Sequence, residues 1–265
     1  MTALAIAGLG VCATGMADWP QAQAVLRSAA SEPPQALPRL APECLPPLER
    51  RRANATTRLA VSAAAQAIAG MAPEDVSSMA TIFSTSDGDG EVLANMLAAL
   101  AQPQVVLSPT LFHNSVFNAP AGYWSIGAGV HAASITVSAG AASFVAGLKE
   151  AHGQVLATGA PVLYVAFDAP FPAALASFAR SAEPFACAFC LRPGGGGTFG
   201  CIDALTTDPG RSESDDLPPA ELQERFSGNA AAAALPLLRA VALRRHSRLS
   251  LPYLDGSNLW LDYLP

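Results

Sequence analysis

Residues 135–151, ITVSAGAASFVAGLKEA, constrain the fold more than any other stretch of this chain. Ile135, Thr136, Val137 and Ser138 have the β-branched, apolar character of a buried strand. From Gly140 onward the residues are small and then apolar at helical spacing, with Ala142, Phe144, Val145 and Leu148 on one side. Only a few small residues separate the two patterns, so the strand must turn sharply into the helix. A helix that starts there directs free N–H groups and a partial positive charge at the turn. Such a position favours an anion, and many enzymes use it for an activated nucleophile. This turn contains no Cys, and its hydroxyls are Ser138 and Ser143.

The flanking sequence supplies neighbours for that strand and helix. Residues 4–11 read as a first buried strand that runs into a Gly turn. The Gly8/Gly10 pair lacks the third Gly of a dinucleotide fingerprint, whose place Ala13 takes. A Pro-rich segment, rather than a helix and strand, is expected to follow. Residues 56–69 predict a helix capped by Thr56 or Thr57, with Leu59, Val61, Ala65 and Ile68 inward. A short strand at 80–83 leads into the polar loop 84–90 and a helix at 91–100. The loop lacks the later acidic ligand of a Ca²⁺ site and reads as a turn with a helix cap.

Residues 107–130 mix Phe112, Phe117, Tyr123 and Trp124 with small residues, which predicts a loop and then a helix at 119–127. The aromatics suit a core, or the lining of an apolar groove. His113 and Asn114 read as side chains that satisfy buried backbone groups, with a catalytic pair as the alternative.

Residues 162–168 form another buried strand. Residues 186–191 and 198–205 flank a Gly run and predict an antiparallel hairpin with a flexible tip. That run lacks the Lys and Ser or Thr of a phosphate loop. A helix is expected at 230–244, with Trp260 and Tyr263 tucking the C-terminus onto the domain. The succession predicts one α/β layered domain over 1–265 with a mixed sheet. A Pro-rich excursion at 30–52 and a polar surface loop at 207–220 interrupt it.

Composition limits the function. Hydrophobic residues make up 51% of the 265 and charged residues 14%, so an apolar face is expected to be covered by a partner. A net charge of -6 with one basic run, Arg50-Arg51-Arg52, argues against nucleic acid. The run itself suits a solvated edge or a contact with a phosphate-bearing or acidic partner. Five scattered Cys predict reduced thiols and a cytoplasmic setting. Cys187 and Cys190 would point to opposite faces of a strand and have no second pair to complete a metal site. No cofactor and no metal are expected. The first 16 residues lack the basic start of a signal peptide, and no stretch is apolar enough to span a bilayer.

Several segments, in this order, resemble the N-terminal half of the β-ketoacyl synthases. Residues 4–15 resemble their opening strand and Gly-rich turn, and 58–68 their first long helix. Asn118-Ala119-Pro120-Ala121-Gly122 is similar to their Asn-Met-Pro-Ala-Gly-type segment, and residues 136–143 to their nucleophile elbow, usually Thr-Ala-Cys-x-Ser. The likeness extends to about residue 205 and implies a thiolase-like fold, layered α-β-α with a mixed sheet. The Cys of the elbow falls on Gly140, which leaves Ser138, Ala139, Gly140 and Ala141 as a vacant elbow. The half of those enzymes that carries two catalytic His is missing, and His152 and His246 lie in no matching motif.

The sequence therefore resembles the short, Cys-less chain length factors of aryl polyene and type II polyketide systems. That resemblance implies a heterodimer with an active ketosynthase subunit, in contact with the acyl chain of an acyl carrier protein, and no catalysis by this chain. It places the dimer interface near 133–137, with Ile135 and Val137. It makes Phe112, Phe117, Tyr123 and Trp124 candidates for the tunnel or interface. It also predicts that a face is left bare where a second half would pack. Two alternatives stand beside it. One is an acyl-transferring or malonyl-decarboxylating enzyme using Ser138 or Ser143 with His113 as base; the other is a scaffold that docks the carrier protein.

Overall fold

The computed structural model describes residues 3–28, 34–178, 181–208, 214 and 217–265. Its first half contains β1 (Leu4–Ala13), α1 (Trp19–Arg27), α2 (Pro47–Arg52), α3 (Ala55–Ala67), α4 (Pro73–Ser77), β2 (Ala80–Ser84), α5 (Gly90–Leu100), α6 (Pro109–His113) and α7 (Ala119–Ala128). There follow β3 (Ser134–Val137), α8 (Ser143–Thr158), β4 (Val162–Asp168), β5 (Phe185–Pro193), β6 (Cys201–Asp208), α9 (Ala220–Arg225), α10 (Leu235–Leu243), β7 (Ser247–Pro252) and β8 (Asn258–Leu264).

The eight strands make one sheet in the order β3-β2-β4-β5-β1-β6-β8-β7. β2 runs parallel to β3 and β4, and the other pairs are antiparallel, so the sheet is mixed as expected. β4 is buried along its whole length, as apolar runs covered on both faces are. α3 and α7 cover one face over Phe83, Val165 and Ala188, while α8, α1 and α10 cover the other over Ile82, Tyr164 and Phe189. Cys187 joins the second cluster and Cys190 the first, so the C-x-x-C pair does straddle the sheet.

The glycines of β1 have a packing role. A Cβ at Gly8 would lie 1.8 Å from Ala67 O, and one at Gly10 2.1 Å from Ala63 O. The backbone of α3 sits directly on the strand at these two positions.

Five expectations need correcting. The α3 cap is Asn54, whose Oδ1 accepts from Thr57 N at 2.7 Å, so the helix starts earlier than 56 and Thr57 lies buried inside it. The segment after β1 is helical: Asp18 caps α1 through Gln21 N at 2.9 Å, before the Pro-rich residues begin. That excursion also ends in a helix, α2; residues 30–33 of it, and 209–213, 215 and 216 of the 207–220 loop, lie outside the described residues.

The hairpin does not form, because β1 lies between β5 and β6. β1 is buried and needs backbone partners on both edges. It pairs with β5 along its length and with β6 at Leu4 and Ala5. The Gly run crosses the end of β1, where Ile6 N donates to Gly200 O at 2.9 Å and Phe199 N to Ile6 O at 3.0 Å. Any Cβ at Gly197 would lie 2.4 Å from Ile6 O, so the glycines serve a close crossing rather than a loose tip.

Finally, among the described residues the sheet leaves no bare apolar face; the side of β7 away from α10 carries exposed Arg248 and half-buried Ser250. Residues after 205 supply β7, β8 and α10, with Leu235, Leu238 and Val241 buried against the sheet on the side of α8. Trp260 and Tyr263 belong to β8, which pairs with β6, so the C-terminus is tied in by strand pairing as well as by its aromatics. Exposed apolar surface lies on the stretch from α5 to α7 and at Ile135 of the β3 edge instead.

Candidate functional site

β3, the turn and α8 form the sharp strand-to-helix junction that the sequence predicts. Gly140 opens a short 3₁₀ turn, Gly140–Ala142, and α8 begins at Ser143. Gly140 has φ +55°, a conformation that strains any residue with a Cβ, although a Cβ placed there would meet nothing within 4 Å. The turn is therefore open, and its central residue offers only hydrogen.

The two hydroxyls of the turn are committed to the backbone. Ser143 is buried; its Oγ accepts from Ala139 N at 3.0 Å and points its hydrogen at Gly140 O (2.7 Å) and Thr85 O (3.1 Å). Ser138 is exposed and donates to Ser86 O at 3.2 Å. Among the described residues no imidazole or carboxylate bonds either hydroxyl. His113 is exposed and sets its ring edge-on to Tyr123, with centroids 5.6 Å apart, so it does not satisfy a buried backbone group. Asn114 does: its Nδ2 donates to Arg52 O at 3.0 Å, and its Oδ1 accepts from Tyr123 OH at 3.0 Å.

A buried carboxylate, which sequence reasoning missed, stands behind the turn. Asp168 ends β4, and its Oδ1 accepts from Thr85 Oγ1 at 2.7 Å and from Ser86 N at 2.8 Å. Its Oδ2 is buried with no partner. Burial pushes its pKa up to about 6, against the opposing pull of those hydrogen bonds. The signal in the sequence is an acid placed directly after the apolar run VLYVAF.

Beside the turn lies an apolar surface. On α5, Leu93, Leu97 and Leu100 are spaced i, i+4, i+7 and are all exposed. Phe112 and Phe117 are 61% and 48% exposed, and Val116 and Ile126 are also uncovered. β3 is an edge strand whose Ser134 and Ile135 face solvent. Its Val137 packs against the core instead. A cavity of about 310 Å³ opens between loop 87–89, α5 and Phe117. Tyr123 and Trp124, by contrast, are core residues, 1% and 0% exposed.

The remaining candidates carry no chemistry of this kind. All five Cys are free, and burial raises the pKa of each thiol, that of Cys12 to about 12. Among the described residues no group of His, Cys, Asp or Glu could hold a metal ion, and no helix is long and apolar enough to cross a membrane. Within the basic run Arg50 is a staple, donating to Glu43 O and Leu45 O at 2.9 Å.

Comparison with known proteins agrees with this geometry. Residues 17–226 match the family described as β-ketoacyl synthase, N-terminal domain. The fold is similar to a solved ketosynthase (ApeO) in complex with its chain length factor (ApeC) from Xenorhabdus doucetiae, at 23% identity and a TM-score of 0.72, over 98% of this chain and 99% of that one. It is also similar to the ishigamide ketosynthase/chain length factor, at 14% identity and a TM-score of 0.78, over 98% and 99% of the chains. A third likeness is to a type II polyketide synthase acyl-carrier protein in complex with its ketosynthase (AntDE:AntF), at 10% identity and a TM-score of 0.72, over 99% of each chain. No curated protein matches the chain. These identities establish the thiolase-like ketosynthase fold.

Proposed function

The chain belongs to the β-ketoacyl synthase N-terminal domain family, and from that premise we propose that it is a chain length factor: a non-catalytic subunit that pairs with an active ketosynthase and shapes its acyl tunnel in polyketide or aryl polyene synthesis. One observation carries the reading. The turn where this family places its nucleophile holds Gly140, and the flanking hydroxyls are spent on backbone hydrogen bonds. Condensation needs a nucleophile to accept the acyl chain and a group to stabilise the carbanion formed from the extender unit. Neither role has a candidate at this turn among the described residues.

The apolar surface supplies the other half of the reading. An edge strand with open backbone groups invites a second strand, and the exposed Leu93/Leu97/Leu100 stripe of α5 offers the hydrophobic area a lasting interface requires. Phe112 and Phe117 project from the same region, where they can block or extend a cavity shared with the partner.

The test is co-expression with a candidate ketosynthase from the same genome, followed by loading with a radiolabelled acyl thioester. A stable heterodimer is expected, with the label on the partner alone, and Phe117→Ala is expected to lengthen the product. Label on this chain, lost in Ser138→Ala or Ser143→Ala with the complex intact, would favour acyl transfer by this subunit instead.

A further inference from the structure

Loop 85–89, between β2 and α5, touches the vacant turn and the cavity at once. Its Thr85 and Ser86 carbonyls accept from Ser143 Oγ and Ser138 Oγ on the turn. On the other side Gly88 backs the Phe117 ring, since a Cβ there would lie 3.4 Å from it. Between these contacts the loop hangs on a single carboxylate. Asp168 Oδ1 takes Thr85 Oγ1 and Ser86 N, with Asp87 N at 3.4 Å, and Thr85 Oγ1 in turn accepts from Gly88 N at 3.0 Å.

Among the described residues no cation pairs with Asp168. The groups around it are Asp87 on the loop, Tyr164 on its own strand, and Asn229, whose amide holds the Asp168 and Glu183 carbonyls at 3.2 and 2.9 Å. A buried, half-satisfied carboxylate is a costly way to hold a loop if any hydrogen-bonding residue would serve. What a carboxylate offers over an amide is a stronger, charge-assisted grip on several donors at once.

We propose that Asp168 is the positioning residue of this site: its carboxylate holds loop 85–89 so that the vacant turn and the Phe117 wall keep one spacing. The consequence for product length rests on the chain-length reading; the anchoring itself does not.

Hydrogen exchange on the full chain, in whatever assembly it purifies, tests the anchoring. In Asp168→Asn and in Thr85→Val the amides of Ser86, Asp87 and Gly88 are expected to exchange about tenfold faster, the scale of a charge-assisted hydrogen bond. The double variant should be no faster than the single ones, and α3 and α10 should be unchanged. Unaltered protection in loop 85–89, or loss spread evenly through α3, β4 and α10, would overturn the proposal. Product analysis then separates the two ideas. If Phe117→Ala changes product length and Asp168→Asn does not, Asp168 does not set the wall. If the loop loosens but neither variant changes the product, the chain-length reading fails and the anchoring stands.

Discussion

Asp168 gives the chain a pH dependence that can be worked out residue by residue. Burial raises its carboxyl from the ordinary range near 4 to about 6. The folded chain therefore holds this proton where the unfolded chain has released it, so the group favours folding below about pH 4. That contribution is lost as pH rises through about 6. The difference of about two pKa units corresponds to roughly 3 kcal/mol. In denaturant melts Asp168→Asn is expected to flatten the slope between pH 4 and 6 and to leave the chain at least as stable at pH 7.5, even while its loop loosens. An unchanged slope would mean that water reaches Oδ2.

At the scale of elements, α3 lies directly on the backbone of β1. Helix backbone replaces side chain at Gly8 and Gly10, so the strand carries no Cβ where the helix lies nearest. Gly10→Ala puts a methyl where Ala63 O already sits and must push the two elements apart. A loss of about 3 kcal/mol is expected, the upper range for overpacking, read as a lower urea midpoint. Gly129→Ala is the contrast: Gly129 has φ +64°, unlike Gly10, but a Cβ there meets nothing within 4 Å, so it should cost about 1 kcal/mol from strain alone. The Gly-x-Gly pattern is thus a packing device here. It was legible in the sequence as a departure from the nucleotide fingerprint, and α3 was legible as a helix, but their packing was not, because α3 lies far along the chain from β1 and meets it only in the folded sheet.

For the whole molecule the decisive feature is which apolar surface stays uncovered. Among the described residues the chain's own helices cover both faces of β2, β4, β5 and β1, while Ile135 on the β3 edge and the leucine stripe of α5 stay exposed. Expressed alone, the chain is expected to self-associate through this region, as judged by light scattering. Leu97→Glu combined with Ile135→Lys should abolish both that association and the proposed pairing with a ketosynthase. Both residues are already exposed, so monomer stability should change by no more than about 0.5 kcal/mol each. Retained pairing in this variant would place the interface elsewhere.

The sequence by itself determined the local events: the strand-turn-helix at Gly140, a helix cap within loop 84–90, the buried strand at 162–168 and the opposed Cys187 and Cys190. Each depends on spacing within one or two turns of chain, where side-chain periodicity acts directly. The tertiary structure alone decided that β1 separates β5 from β6, that 247–264 completes the sheet, and that Asp168 meets Thr85 from 83 residues away. β7 does alternate, with Leu249 and Leu251 inward and Arg248 outward, but so short a polar-edged pattern does not name its partner. Strand pairing and a buried hydrogen bond are settled by which backbone edges and donors the collapsed chain brings together, and that information lies in no single stretch of residues.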